Sequence, residues 1–196
     1  MTDFSFPTNL HYKALSKQVF TSGDYSIVPI RMMDRMEIMK WRNEQLYHLR
    51  QKSPLTAAQQ DDYFKNLVLP QFDEQTPPQL LFSYLEKDSC IGYGGLVHID
   101  WDLKEAEISF IMDTSLEEQY FSFHWSKYLS LLENAAFADL QFHRIFTYAF
   151  DLRPKLYEVL ESNGYTRREE GAHESKPTDK YSKVIIHEKL MSQYNA

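Results

Sequence analysis

The sequence predicts one α/β domain of the α+β type, in which a mixed, mostly antiparallel central sheet is flanked by helices. Its 196 residues are 43% hydrophobic and 15% aromatic, which is enough to bury a core. Three strand-like segments follow one another between residues 80 and 112, and their short connections favour antiparallel hairpins. Helix-like segments lie on both sides of this run, and no internal repeat divides the chain.

The N-terminal part of the chain has the least regular pattern. Residues 1–23 show no clear periodicity, and we expect them to form an extension that packs on the domain or on a partner. The domain itself is predicted over residues 24–196. It begins with a strand at residues 25–31, where β-branched and aromatic residues are frequent.

Two helices are predicted next, each from a capping box. Asp34 and Glu37 have the required spacing, and the helix that they start is expected to end near residue 43. Thr56 and Gln59 repeat the pattern before a second helix, which Pro70 is expected to stop.

The three central strands are predicted at residues 80–86, 90–99 and 106–112. In the last of them Glu107 and Ile111 share one face, because successive side chains of a strand alternate.

Helices and strands then alternate towards the C-terminus. A long helix is expected at roughly residues 117–140, with Ser115 and Glu118 as a third capping box. The remaining predicted elements are a strand at 144–150, a helix at 154–163 capped by Gly164, a short strand at 165–168 and a final strand at 181–190.

Charge and cysteine content exclude several classes of protein. A net charge of −7 argues against a nucleic-acid partner, because such binding needs a basic surface. The single cysteine, Cys90, forms no internal disulfide, and residues 1–20 lack the pattern of a signal peptide. No apolar run is long enough to cross a membrane. We therefore expect a cytoplasmic protein without a membrane partner, for which a homodimer is a candidate assembly.

Few motifs point directly to chemistry. The glycines of residues 92–95 lead into more strand rather than a helix, so a close backbone approach is favoured over a dinucleotide site. The seven histidines have no metal-ligand spacing, and no metal is expected. His98 and Glu107 lie on neighbouring predicted strands and form an acid–base pair if both face one cleft; each alone is more often structural.

Three stretches together resemble the GNAT acetyltransferase superfamily, namely "AEISFIMD", "AFADLQFHRIFTYAF" and "RPKLYEVLESNGYTRREEG". The chain is most similar to the branches that act on ribosomal-protein N-termini or on sugar nucleotides, over residues 25–190. The resemblance implies a GNAT-like sheet with acetyl-CoA as co-substrate in a V-shaped gap between the family's fourth and fifth strands. It also implies direct attack of a primary amine on the thioester in a ternary complex.

The resemblance also implies site residues. The backbone of Ile111, Met112 and Asp113 would bind the pantetheine arm and polarise the thioester, and Glu107 would be the general base. A structural role for Glu107 is the alternative.

One segment departs from the family pattern. The pyrophosphate-binding turn, Gln/Arg-x-x-Gly-x-Gly/Ala, aligns with Gln119–Trp125, where Phe121, Phe123 and Trp125 replace the small residues. Lys127, just after this segment, is the cation that is still expected to contact the cofactor there. Either these aromatics pack in the core and acetyl-CoA binds in a modified way, or they cover the site. In the second case the chain is a non-catalytic GNAT-fold interaction module, or it uses another acyl donor.

A second departure concerns the last family motif. Leu160 stands where many members have the tyrosine that protonates the departing thiolate, and Tyr157 is the expected substitute. Arg153 is expected to bind a phosphate of CoA.

The acceptor is expected to be a small-molecule amine or an amino sugar nucleotide, with a protein N-terminus as the alternative. Residues 40–50 carry side chains suited to stacking and hydrogen bonding, and a plain helix end is the alternative reading. The predicted substrate-binding residues are Trp41, Arg42, Asn43 and His98.

Overall fold

A computed structural model of the protein describes residues 10–150, 152–169 and 184–194. Within these ranges eight strands form one sheet in the order β1-β2-β3-β4-β5-β6-β8-β7. The strands are β1 (Phe20–Ser22), β2 (Tyr25–Pro29), β3 (Leu80–Glu86), β4 (Ser89–Asp100), β5 (Glu105–Met112), β6 (Arg144–Phe150), β7 (Thr166–Glu169) and β8 (Val184–Leu190). The predicted mixed, mostly antiparallel sheet is confirmed.

Six α-helices accompany the sheet in the described ranges, and none of them is long and apolar enough to span a bilayer. They are α1 (Arg35–Glu44), α2 (Ala57–Tyr63), α3 (Leu69–Gln71), α4 (Thr114–Glu133), α5 (Pro154–Ser162) and α6 (Met191–Tyr194). Two π-helical turns, Phe64–Val68 and Asn134–Asp139, join α2 to α3 and extend α4.

The sheet is antiparallel everywhere except between β5 and β6. These two parallel strands pair only from Glu105↔Arg144 to Glu107↔Phe146. Beyond that point β5 runs on to Met112 and β6 to Phe150, and the two strands do not pair with each other any further. The two strands therefore separate in the middle of the sheet and leave a gap.

The two faces of β5 pack against different helices. Phe110 stacks on Tyr128 of α4, with ring centroids 3.9 Å apart and an interplanar angle of 9°. Ile111 points to the opposite face and is the register partner of Tyr93, whose hydroxyl accepts a hydrogen bond from Arg42 of α1. The long helix α4 thus covers one face, and α1 covers the other.

Part of the segment predicted as an extension belongs to the sheet. Residues 20–22 form β1, which pairs with β2. Tyr12 is buried and stacks on Phe72 at 4.1 Å, and its hydroxyl exchanges hydrogen bonds with the backbone of Leu81. Residues 1–9 lie outside the described residues, and the domain boundary at residue 23 stays a prediction.

The glycines of β4 allow close backbone approach, as predicted. A Cβ atom on Gly94 would overlap the carbonyl oxygen of Ser109 and the Tyr128 hydroxyl. A Cβ atom on Gly95 would overlap the carbonyl oxygen of Leu80. Both flanking strands therefore lie against β4 at distances that only glycine permits.

The helix caps are only partly as predicted. The capping box of Thr56 and Gln59 is present, and Gly164 follows α5 in the left-handed region with φ 82°. The box predicted at Asp34 is wrong, because its carboxylate binds the Arg31 guanidinium and the Ser83 hydroxyl instead of the helix backbone. Both partners come from outside the helix, so the local pattern did not reveal them.

Candidate active site

A cavity of about 710 Å³ opens where β5 and β6 separate. Residues 107–111 of β5 and 147–149 of β6 line one side, and residues from α1, α2 and the connecting segment line the other. Arg153 and Leu156 close one end. The ionisable side chains along it, apart from tyrosines, are Arg42, His48, Arg50, His98, Glu107 and Arg153.

Glu107 is the only carboxylate among the described lining residues, and its side chain is 13% exposed. Its Oε1 accepts a hydrogen bond from Nη2 of Arg50 at 2.8 Å, and its Oε2 lies 3.9 Å from Nε2 of His98. Burial raises the pKa of Glu107, while Arg50 and His98 oppose the shift. A carboxylate with a raised pKa accepts a proton more readily, so Glu107 is suited to act as a base.

His98 lines the same cavity, so the condition that both side chains face one cleft is met. The register of β4 and β5 shifts between Val97 and Asp100, and His98 adopts φ 49° at this irregularity. A bulge turns a side chain away from its regular direction, and here it brings the imidazole beside Glu107. The imidazole is 67% exposed, so it sits at the cavity mouth.

Arg50 connects the two separated strands. Besides Glu107 on β5, its Nη2 donates a hydrogen bond to the backbone carbonyl of Tyr148 on β6 at 3.3 Å. Its guanidinium carbon lies 4.6 Å from the centre of the Tyr148 ring. The sequence placed Arg50 in the stretch suited to binding an acceptor but did not reveal these contacts, because its partners are 57 and 98 residues away.

The backbone of β5 offers hydrogen-bonding groups to the gap. Asp113 donates its N–H to the carbonyl of Ile91 on the β4 side. The backbone N–H and C=O groups of successive strand residues alternate in direction. Those of Ile111 therefore also point to β4, whereas those of Phe110 and Met112 point to the gap. The prediction for Met112 therefore fits the geometry, those for Ile111 and Asp113 need correction, and Phe110 was missed.

One of these groups already has a partner. The Met112 carbonyl accepts a hydrogen bond at 2.8 Å from Nε2 of Gln45, a fully buried side chain that the sequence did not single out. The N–H groups of Phe110 and Met112 are the donors that face the gap, where a thioester carbonyl would accept from them.

The segment predicted as a pyrophosphate-binding turn is helical. The long helix begins at Thr114, immediately after β5, and Asp113 is its N-cap because its carboxylate accepts from the Ser115 N–H at 2.9 Å. The predicted cap at Ser115 and Glu118 is therefore wrong. Gln119 and Lys127 also lie inside α4; Gln119 is exposed, and Lys127 donates to the Ser22 hydroxyl at 3.1 Å, away from the cavity.

The aromatic residues of this segment divide between core and surface. Phe121 and Trp125 are 4% exposed and pack in the core. Tyr120 and Phe123 are 51% and 48% exposed. Core packing, one of the two alternatives that the sequence left open, therefore applies to two of these four rings.

Carboxylates occupy the N-terminal end of α4, where the family holds a pyrophosphate. Nη2 of Arg153 donates to Oε1 of Glu117 at 2.6 Å, and its guanidinium carbon lies 4.9 Å from the centre of the Phe121 ring. With Asp113 as N-cap and Arg153 paired, this helix end does not fit a pyrophosphate. The gap between the strands fits the narrow thioester arm of a pantetheine. Acetyl-CoA therefore fits this site with its thioester arm but not with its pyrophosphate.

His48 lies beside Arg153 and stays neutral. Nη1 of Arg153 is 3.2 Å from Nε2 of His48. Burial and the positive charge of Arg153 lower the pKa of His48 to about 3. The His48 imidazole is therefore uncharged at neutral pH and keeps a single N–H.

Other predicted residues lie away from the cavity. Tyr157 is buried and stacks on His187 of β8 with ring centroids 5.3 Å apart, because this face of α5 packs towards the sheet. Tyr157 is therefore not placed to protonate the departing thiolate, and this prediction is corrected. Trp41 is 2% exposed and lies in the core. The side-chain amide of Asn43 donates a hydrogen bond to the backbone carbonyl of Leu55 at 2.9 Å. Both stabilise the region around the cavity rather than line it.

Comparison with known proteins agrees with this geometry. A family model described as an acetyltransferase (GNAT) domain matches residues 27–179. A search of curated proteins found no match. Among solved structures, a spermidine N-acetyltransferase from Vibrio cholerae in complex with CoA and spermine superposes with a TM-score of 0.71 at 16% identity, covering 89% of this chain and 100% of that chain.

A second similar structure is a GCN5-related N-acetyltransferase from Brucella melitensis. It has a TM-score of 0.70 at 14% identity and covers 95% of this chain and 85% of that chain. At these identities the solved structures establish the fold, and the family match covers most of the sequence, so the predicted resemblance to the superfamily is confirmed, whereas the branch within it stays a prediction. The chain belongs to the GNAT acetyltransferase family and is an enzyme of that family, which transfers acetyl groups to amines.

Proposed function

We propose that the protein transfers an acetyl group from acetyl-CoA to a primary amine of a small molecule, by direct attack in a ternary complex. The observation that carries the proposal is the separation of β5 and β6 around a cavity that holds Glu107. An amino sugar nucleotide is one candidate acceptor.

Glu107 acts as the base in this proposal, directly or through a water molecule. The amine nitrogen forms a bond to the thioester carbonyl carbon, and the carbon–sulfur bond then breaks. The nitrogen loses a proton to Glu107, whose buried position raises its pKa. Arg50 holds the carboxylate in place and compensates its charge.

The backbone N–H groups of Phe110 and Met112 stabilise the negative charge that develops on the carbonyl oxygen. Leu160 is fully buried where many family members have a tyrosine. We therefore infer that the sulfur leaves as a thiolate, without a proton from α5.

A second candidate function uses a donor that lacks the nucleotide end of CoA, such as an acyl carrier protein. The ion pair of Arg153 with Glu117 and the N-cap carboxylate of Asp113 favour it, because both disfavour a pyrophosphate at this helix end. Both candidates place the thioester between β5 and β6.

The test is acetyl transfer by the purified protein, detected by mass spectrometry of the acceptor. Acetyl-CoA, acetyl-pantetheine and an acetylated acyl carrier protein are compared as donors, with a panel of amino sugars, amino sugar nucleotides, polyamines and N-terminal peptides. Transfer from acetyl-CoA to a small amine supports the first proposal, and transfer only from the carrier protein supports the second. If no donor and amine pair yields product above the uncatalysed rate, both proposals fail.

A further inference from the structure

The cavity contains more positive than negative charge. Its described lining residues include three arginines, Arg42, Arg50 and Arg153, and a single carboxylate, Glu107. Arg50 is paired with Glu107 at 2.8 Å, and Arg153 is paired with Glu117 at 2.6 Å. Two of the three guanidinium charges are therefore compensated within the protein.

Arg42 has only neutral partners in the part of the chain that the structure describes. Its Nε donates to the amide oxygen of Gln51 at 2.8 Å, and its Nη1 donates to the Tyr93 hydroxyl at 2.6 Å. A guanidinium has five N–H donors, so these bonds leave capacity for a ligand. A partly buried charge without a counter-ion is costly, and an anion bound beside it would offset that cost.

The contacts of Arg42 indicate how far its guanidinium lies from the proposed base, Glu107. It binds Tyr93, and Tyr93 is the register partner of Ile111, which lies on the same face of β5 as Glu107. Ile111 lies four positions along the strand from Glu107, so their backbones are roughly 13 Å apart. One molecule of moderate size can therefore contact both side chains from inside the cavity.

We propose that Arg42 binds an acidic group of the acceptor, so that the acceptor is a primary amine that also carries a carboxylate or a phosphate. The inference rests on the proposed function, in which the amine lies at Glu107. It also distinguishes this cavity from one suited to polyamines, since a ligand with several positive charges would be repelled by Arg42.

The experiment uses pairs of amines that differ in the acidic group. Glucosamine phosphate is compared with glucosamine, and β-alanine with β-alaninamide, so that phosphate and carboxylate are tested separately. Binding is measured by calorimetry without a donor, and acetyl transfer is measured in parallel. The variants are Arg42→Gln, which removes the charge, and Arg42→Lys, which keeps it. Lys40→Gln is the control, because it removes the same charge from an exposed position of the same helix.

We expect the wild-type protein to bind the acidic member of at least one pair about 10- to 100-fold more tightly than the neutral member, as for hydrogen bonds to charged groups. Arg42→Gln should abolish this preference, Arg42→Lys should retain part of it, and Lys40→Gln should leave it unchanged. If Arg42-dependent binding is seen without acetyl transfer, the anion site stands and the proposed function fails.

Two results would overturn the inference. One is equal binding of the acidic and neutral members of both pairs by the wild-type protein. The other is an Arg42→Gln variant whose KM rises for acetyl-CoA but not for the acceptor, since the anion would then belong to the donor.

Discussion

Replacement of Glu107 by glutamine tests the proposed base directly. The amide has the shape of the carboxylate and keeps an oxygen that can accept from Arg50, but it cannot take a proton at neutral pH. We expect kcat to fall by about 100- to 10,000-fold, the usual contribution of general base catalysis. Binding of acetyl-CoA, measured separately by calorimetry, should change little.

The fold should tolerate this substitution. The Arg50 side chain is 46% exposed, so its ion pair with Glu107 is screened by solvent. Loss of the charge should therefore cost at most about 1 kcal/mol of unfolding free energy, and Tm should shift by no more than about 4 °C. Glu105→Gln is a matched control, because Glu105 lies on the same strand and pairs with Arg144 at 3.0 Å outside the cavity.

The pH dependence supplies an independent signature. Because burial raises the pKa of Glu107 in the folded state, the carboxylate forms above the pH typical of an exposed glutamate. As pH rises between the ordinary and the raised pKa, kcat should increase, whereas the contribution of this group to stability should decrease. Glu107→Gln should lose both trends. A variant that retains more than about a tenth of the wild-type kcat would refute the role of Glu107 as base.

Three further substitutions test the contacts that shape the site. Arg153→Ala removes the cation that pairs with Glu117, whose side chain is 17% exposed, so denaturant unfolding should show a loss of about 1.5–3 kcal/mol; a loss below about 1 kcal/mol would mean that the pair is merely a surface contact. Gly94→Ala forces a Cβ atom against the backbone of β5, and circular dichroism should show a Tm lower by at least about 5 °C; an unchanged Tm would contradict the close approach. Tyr12→Phe removes the hydroxyl that bonds the backbone of β3, so urea unfolding should show a loss of about 1–3 kcal/mol. An unaltered midpoint would argue that the N-terminal segment does not stabilise the sheet.

Local patterns predicted most of the fold because the strands and helices of this chain carry strong periodic signals. The three central strands and α5 were placed within one or two residues of their ends. The strand β1 was missed, because three residues are too few for a period to be visible and its pairing with β2 is what defines it. The start of α4 was misplaced, because Asp113 follows β5 directly and competes successfully with Ser115 as N-cap.

The candidate site was predictable only where its residues lie on one strand or on neighbouring strands. The pairing of His98 with Glu107 followed from adjacent strands, although the bulge that turns His98 was not visible in the sequence. Arg50 and Gln45 come from a segment between two helices, and only tertiary packing brings them to β5 and β6. Tyr157 was misassigned because helical spacing alone does not tell which face of α5 turns to β8.

The structure departs most from the family resemblance at the pyrophosphate-binding turn. The aromatic residues that replace its glycines do not distort a loop, since the whole segment is helix and two of the rings enter the core. The pairing of Arg153 with Glu117 then neutralises a cation that was expected to bind a phosphate of CoA. The donor is therefore expected to be held mainly through its thioester arm.

Calorimetric titration of acetyl-CoA and of acetyl-pantetheine, side by side at near-physiological salt, tests the central claim that the thioester binds between β5 and β6. We expect both to bind, with affinities within about tenfold of each other, or 1.4 kcal/mol, because the nucleotide end lacks its usual partner at α4. Absence of binding for both at millimolar concentration would contradict the claim. Strong binding of acetyl-CoA alone would place the main contacts at the nucleotide instead of at the separated strands.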